Sequence, residues 1–213
     1  MILRRALAGW IGATLFAFAQ GAAWAQISAS SEFIELKPAI PVSTGSKIEV
    51  IEFFYYGCPI CYELQPQMSR WLVVAPNYVA LRRVPALSLE NWEPFAKLYY
   101  SLEILGQMER LHWPVYDNFH FDGILLNDEK VMVDWVARNG IDSKKFTETY
   151  HSAEVQGRLA KVQQIMKTYN LRGVPTIVVD GKYVSSARLA GGTKQLMQVV
   201  DRLVRRARQE RAQ

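Results

Sequence analysis

The sequence has few of the side chains that hold metals. Its 213 residues include two cysteines and three histidines. His112, His120 and His151 follow no ligand spacing, so no zinc set can be assembled from them. A strong charge of either sign is also missing. The formal net charge is +5, too mild to point to nucleic acid. Arg202, Arg205, Arg206 and Arg208 cluster late in the chain, but cations at a helix C-terminus complement the dipole and are read as a solvated end. Beyond residue 25 no apolar run is long enough to cross a bilayer.

What the sequence does contain begins with a leader. Arg4 and Arg5 precede an apolar stretch, 6–19, and Ala23-Trp24-Ala25 supplies a small-x-small cleavage site. Residues 1–25 are therefore expected to be a signal peptide, cut after Ala25, which lowers the net charge to +3. Export would place both cysteines in an oxidising compartment, where disulfides persist. The whole sequence is half apolar in composition, and the part after the leader can still bury a sizeable core. One domain with an insertion, or two small domains, would fit its length.

The chain is organised around residues 50–66, VIEFFYYGCPICYELQP. The nearly continuous apolar run up to Tyr56 is the pattern of a strand buried on both faces. Gly57 breaks it, and Cys58-Pro59-Ile60-Cys61 opens a helix. Pro59 suits a first helical turn, where no N–H is required of it. Cys58 then sits where free backbone N–H groups and the positive end of the helix dipole favour a thiolate. Cys61, three residues on, faces the same way and lies within disulfide reach. These are the only cysteines, so the pair is read as a dithiol/disulfide redox site. Tyr62 stands where a haem-attachment motif requires histidine, which excludes that reading.

Around this stretch, 32–36 alternates like a short strand, and 78–84 reads as another, ending at Pro85. Pro66 should kink the first helix. Residues 91–169 carry helical periodicity with almost no strand signal, with Asp142 and Ser152 as helix caps. This block is too long for a loop and is expected to be an inserted helical subdomain. Strand signals return at Gly173. Thr176-Ile177-Val178-Val179, Asp180-Gly181 and Lys182-Tyr183-Val184 form a hairpin signature, because Asp-Gly fits the primed turns that match strand twist. A last amphipathic helix, from 194 to about 208, places Leu196, Val199, Val200, Leu203 and Val204 on one stripe.

Strand, Cys-Pro-x-Cys, helix, strand, helical insertion, then Gly-Val-Pro-Thr and a hairpin: in this order the motifs resemble the exported thiol-disulfide oxidoreductases of the DsbA type. The resemblance covers nearly all of the chain after the leader. It implies an α/β thioredoxin fold with a central mixed sheet, formed by 26–90 and 170–213 and interrupted by the helical subdomain 91–169. By the same resemblance Pro175 has a cis peptide bond and faces the cysteine pair, and Val174 offers its backbone to an incoming substrate, beside Pro59 and Ile60. The implied activity is that of a periplasmic dithiol oxidase, a monomer with no metal or organic cofactor. Reduced, unfolded exported polypeptides would be its substrates and a membrane quinone-linked partner of the DsbB kind its reoxidant. A reductase or isomerase of the same fold is the alternative within redox chemistry. A binding module whose disulfide is only a staple is the alternative outside it, though so short a loop closure stabilises little.

Glu52 is the only charge between Val50 and Tyr56. It matches the buried acid that members of this family use to exchange a proton beneath the active site. It is equally placed for an ion pair with Arg82 or Arg83 on the neighbouring strand. Tyr55, Tyr56, Trp92, Trp113 and Phe121 are candidates to line a groove, although most such aromatics are core. Ile60 departs from the family pattern. Many relatives have histidine there, stabilising the thiolate, and isoleucine donates nothing. The helix N-terminal donors remain, so Cys58 is expected below the ordinary thiol range, in a milder oxidant.

Overall fold

A computed structural model describes residues 31–213. The leader and its cleavage site after Ala25 lie outside the described residues. Five strands form one sheet in the order β1-β5-β4-β2-β3: β1 (Ile34–Glu35), β2 (Ile48–Phe54), β3 (Val79–Pro85), β4 (Thr176–Val179) and β5 (Tyr183–Ser186). The β2–β3 pair is parallel and the others antiparallel, so the sheet is mixed. All seven residues of β2 are buried, as expected of a strand with neighbours on both sides and helices on both faces.

Side chains alternate along β2, and the two faces meet different helices. Ile48 and Val50 pack with Leu64, Met68 and Trp71 of α1 (Pro59–Val74) and with Leu196 and Val200 of α8 (Thr193–Arg211). Ile51 and Phe53 belong to the larger cluster on the other face. That cluster is built on α2 (Glu93–Ile104), α3 (Met108–His120), α4 (Glu129–Arg138), α5 (Ser143–Tyr150) and α6 (Ala153–Thr168). These five helices all fall between β3 and β4 in the chain. A single 3₁₀ turn, Glu90–Trp92, leads into them.

Local sequence explains where the helices start. Asp128, Asp142 and Ser152 each accept, through the side chain, the N–H three residues on, at the heads of α4, α5 and α6. Each such cap satisfies one donor that the helix cannot pair by itself. The hairpin turn is equally local. Asp180 and Gly181 have φ of 56° and 63°, the two positive values of a type I′ turn. Glycine is also demanded from outside the hairpin, because a Cβ at 181 would stand 1.9 Å from the Ile40 carbonyl oxygen. Ile40 N–H donates to the Gly181 carbonyl at 2.9 Å, fastening the N-terminal segment over the turn. After β5 a short helix, α7 (Ala187–Ala190), ends at Gly191 in the left-handed conformation before α8 begins. Helix α1 continues through Pro66 to Val74.

Candidate active site

Strand β2 leads to the dithiol through a tight turn in which Cys58 N–H donates to the Tyr55 carbonyl at 3.0 Å. The Tyr55 ring lies across Gly57, where a Cβ would stand 2.6 Å from its Cε1. Tyr55 in turn stacks on Trp92 with centroids 4.1 Å apart. Cys58 is the N-cap of α1, and its Sγ accepts from the Cys61 N–H at 3.3 Å. Sulfur thus occupies the position that a serine or aspartate oxygen takes at an ordinary helix start.

The two sulfurs have opposite environments. Cys58 is half-buried, while Cys61 is completely enclosed. The Cys58 thiol is lowered to about 6, chiefly by its hydrogen bond with the Cys61 side chain and also by the Cys61 and Ile60 backbone N–H groups, which outweigh the opposing effect of burial. Burial pushes the Cys61 thiol well up, and the neighbouring Cys58 and Glu52 charges push it the same way. At neutral pH the reachable sulfur is therefore the thiolate and the enclosed one the thiol.

A loop 116 residues away completes the surroundings. The Val174 carbonyl oxygen lies 3.8 Å from Cys58 Sγ, and the Val174–Pro175 peptide is cis. A second cis bond, Lys37–Pro38, had no signal in the sequence. Ile60 is 44 % exposed at the mouth of the site, and Pro59 is exposed beside it on the first turn of α1.

Beneath the dithiol, Glu52 is fully buried. Arg83 Nε donates to its Oε2 at 3.1 Å and Gln65 Nε2 to its Oε1 at 2.7 Å. The ion pair anticipated from sequence is thus made by Arg83, while Arg82 approaches Glu49 instead, at 3.9 Å. Gln65 also reaches the Cys61 carbonyl at 3.5 Å, linking the acid to the second cysteine. Sequence reading passed over Gln65. Its position one helical turn beyond Cys61 was the available signal.

The aromatic candidates divide. Tyr56 is core, with its hydroxyl 2.8 Å from His112 Nδ1. Burial holds the His112 imidazole well below its ordinary value, hence neutral. Trp113 stacks on Tyr62 and is 41 % exposed, whereas Phe121 is 80 % exposed. His120, also unassigned by sequence, stacks on Tyr62 and places Nε2 2.7 Å from the Tyr56 carbonyl. Among the described residues no group of His, Cys, Asp and Glu could hold a metal ion.

A mixed five-stranded sheet carrying an asymmetric Cys-X-X-Cys at a helix start, beside the Val174–Pro175 loop, defines a thiol:disulfide oxidoreductase of the thioredoxin fold. Residues 78–204 match the model of the DSBA-like thioredoxin domain. The chain is 35 % identical over 201 residues to the thiol:disulfide interchange protein DsbA of Pseudomonas syringae pv. tomato, covering 94 % of each. It is 35 % identical to the protein of that name from Azotobacter vinelandii, over 97 % of this chain and 99 % of the relative. The crystal structure of Pseudomonas aeruginosa DsbA superimposes with a TM-score of 0.80 at 34 % identity, over 86 % of this chain and 95 % of the other. The chain belongs to the DsbA family.

One expected outcome follows directly from the cap geometry. Alkylation of Cys58 should rise with pH through a midpoint near 6, because protonation removes the nucleophile below it. Ile60→His should move that midpoint down by roughly one unit, since a hydrogen bond to a charged group contributes about 1.5–3 kcal/mol and part of it is lost to solvent. Thiolate absorbance titration of both forms reads the shift. An unmoved midpoint would mean that residue 60 does not reach the sulfur.

Proposed function

We propose that the protein works as an oxidant, donating a Cys58–Cys61 disulfide to reduced, unfolded polypeptides after their export. The observation that carries this reading is the contrast between the two sulfurs: an accessible Cys58 lowered to about 6 and an enclosed Cys61 pushed up. A substrate thiolate attacks Cys58 Sγ, and the Cys58–Cys61 bond breaks. Cys61 leaves as a thiolate inside the protein and takes up a proton. A second substrate thiolate then attacks the substrate's own sulfur in the mixed disulfide, and Cys58 departs as a thiolate. Two electrons pass from the substrate dithiol to the protein. The lowered Cys58 thiol makes it the better leaving group and stabilises the reduced product, which is the driving force for oxidation.

The remaining roles follow from position. Val174 offers its carbonyl to an extended substrate segment beside Cys58, Pro175 shapes that loop, and Pro59 and Ile60 border the approach. Glu52 accepts and returns the Cys61 proton, held in place by Arg83 and Gln65. The thioredoxin-like unit, 26–90 and 170–213, supplies these groups, while the helices of 91–169 cover the far face of the sheet. The protein acts as a monomer in the periplasm, directed there by residues 1–25, and a membrane quinone-linked partner of the DsbB kind takes its electrons.

A reductase would have the same sulfurs but a different poise. Equilibration in glutathione buffers should give a potential above that of thioredoxin, about −270 mV, and below the −120 mV or so typical of the strongest DsbA oxidants. The lower bound follows from a thiol more acidic than thioredoxin's, roughly 7, and the upper from one less acidic than 3.5 or so. A value at or below that of thioredoxin would establish the reductase alternative.

A further inference from the structure

A cleft of about 440 Å³ borders the dithiol, lined by Ile60, by residues 172–176 and by the start of α7. A second recess of about 220 Å³ shares Arg172, Thr176, Ser186 and Arg188 with the first. Leu36, Leu171, Val184 and Leu189 give this second recess an apolar lining. Arg172 and Arg188 are exposed, and no carboxylate lines either recess. Elsewhere on the surface Arg202, Arg206 and Arg211 each pair with an acid. Among the described residues, Arg172 and Arg188 make no ion pair and no side-chain hydrogen bond. Two uncompensated guanidinium groups thus face a cleft that opens beside the reactive sulfur.

We propose that this cleft selects polypeptide segments carrying an acidic side chain two or three residues from the reacting cysteine. The inference rests on the oxidase reading above and names the substrate class of that same site. A substrate cysteine at Cys58 lies next to the Val174 carbonyl, 3.8 Å from Cys58 Sγ. Arg172 is two residues before Val174. An extended segment advances about 3.3 Å per residue, so its side chains two or three positions from the cysteine lie roughly 7–10 Å along the cleft. An aspartate or glutamate there meets a guanidinium able to hold both its oxygens. The pair is solvent-exposed, so its effect falls chiefly on encounter and is screened by salt. The chemistry selected is the first exchange: the substrate–Cys58 bond forms, the Cys58–Cys61 bond breaks, and Cys61 carries away the electron pair.

Single-cysteine peptides differing only in aspartate, serine or lysine two residues from the cysteine test this with the oxidised protein. Each rate of mixed-disulfide formation is divided by the same peptide's rate with oxidised glutathione, which removes the effect of the flanking charge on the peptide thiol. The aspartate peptide should exceed the lysine peptide about tenfold at low salt and about twofold at 0.5 M, as expected for steering by exposed charges. In the double variant Arg172→Gln, Arg188→Gln the ratio should fall below about twofold at both salt concentrations, since the steering charges are gone. Equal rates for the three peptides, or a ratio that survives in the double variant, would overturn the inference. Failure of the serine peptide to react at all would instead remove the oxidase reading, and this inference with it.

Discussion

Replacing Cys61 with alanine should give a protein that captures its substrates and cannot release them through its own second thiol. With Cys58 first joined to glutathione, a reduced unfolded protein carrying a single cysteine should displace the glutathione and remain cross-linked to Cys58, in an adduct cleaved by dithiothreitol. Catalytic oxidation should fall by at least about a thousandfold, the scale on which loss of a covalent participant acts. Cys58→Ser should lose activity to the same extent and yield no adduct, because the sulfur that remains, Cys61, is enclosed. The two variants therefore separate the roles although their activities look alike. Stability does not confuse the result. Removing the Cys61 sulfur costs about 1 kcal/mol by analogy with small core truncations, a small share of a domain's usual margin. Adducts formed equally well by the Cys58→Ser protein would overturn the assignment of the attacking sulfur.

Arg83→Leu should destabilise the protein by about 3 kcal/mol, the low end for breaking a buried ion pair by removing one partner. Glu52 has no access to solvent and would keep only the Gln65 donor. Glu52→Gln should cost less, about 1 kcal/mol, since the charge left behind belongs to Arg83, which is partly exposed and can turn towards water. Urea unfolding of the reduced proteins reads this asymmetry, and equal losses would mean that the pair is not effectively buried. The kinetic consequences differ from the thermodynamic ones. Glu52→Gln should slow the steps at neutral pH in which Cys61 attacks a mixed disulfide on Cys58, in reversal and in reoxidation, and leave attack of a substrate thiolate on Cys58 largely intact, because Cys61 must lose its proton before it can re-form the Cys58–Cys61 bond. If both steps keep their rates, Glu52 is a structural partner of Arg83 and nothing more.

Much of this site was legible because its signals are short-range. An apolar run, a glycine and Cys-Pro-Ile-Cys specify a strand that ends in a helix, and the helix start by itself supplies N–H groups to the first sulfur. Asp180-Gly181 specified its turn through backbone conformation alone. Asp142 and Ser152 fixed helix starts through one side-chain hydrogen bond each. The aromatic residues were less legible, because a tyrosine or tryptophan has the same composition signal in a core as on a surface. Tyr56 is enclosed and Phe121 exposed, and nothing in their immediate neighbours distinguishes them.

Glu52 marks the boundary between the two kinds of information. Its burial follows from its place in a strand that is apolar on both sides of it. Its partner does not. Arg82 and Arg83 are adjacent in sequence, but β2 and β3 pair in a register that sets Glu52 against Arg83 and Ile51 against Arg82. A slip of one residue would put the other arginine beside the acid, because successive strand side chains point to opposite faces. Likewise the sequence by itself determined that Cys58 would cap a helix and tend towards thiolate. Only the tertiary structure brought the Val174 carbonyl to within 3.8 Å of it, enclosed Cys61, and left Arg172 and Arg188 facing the same cleft. Those outcomes depend on contacts between segments distant in sequence, and they are settled by how sheet and helices pack together, which local sequence preferences do not encode.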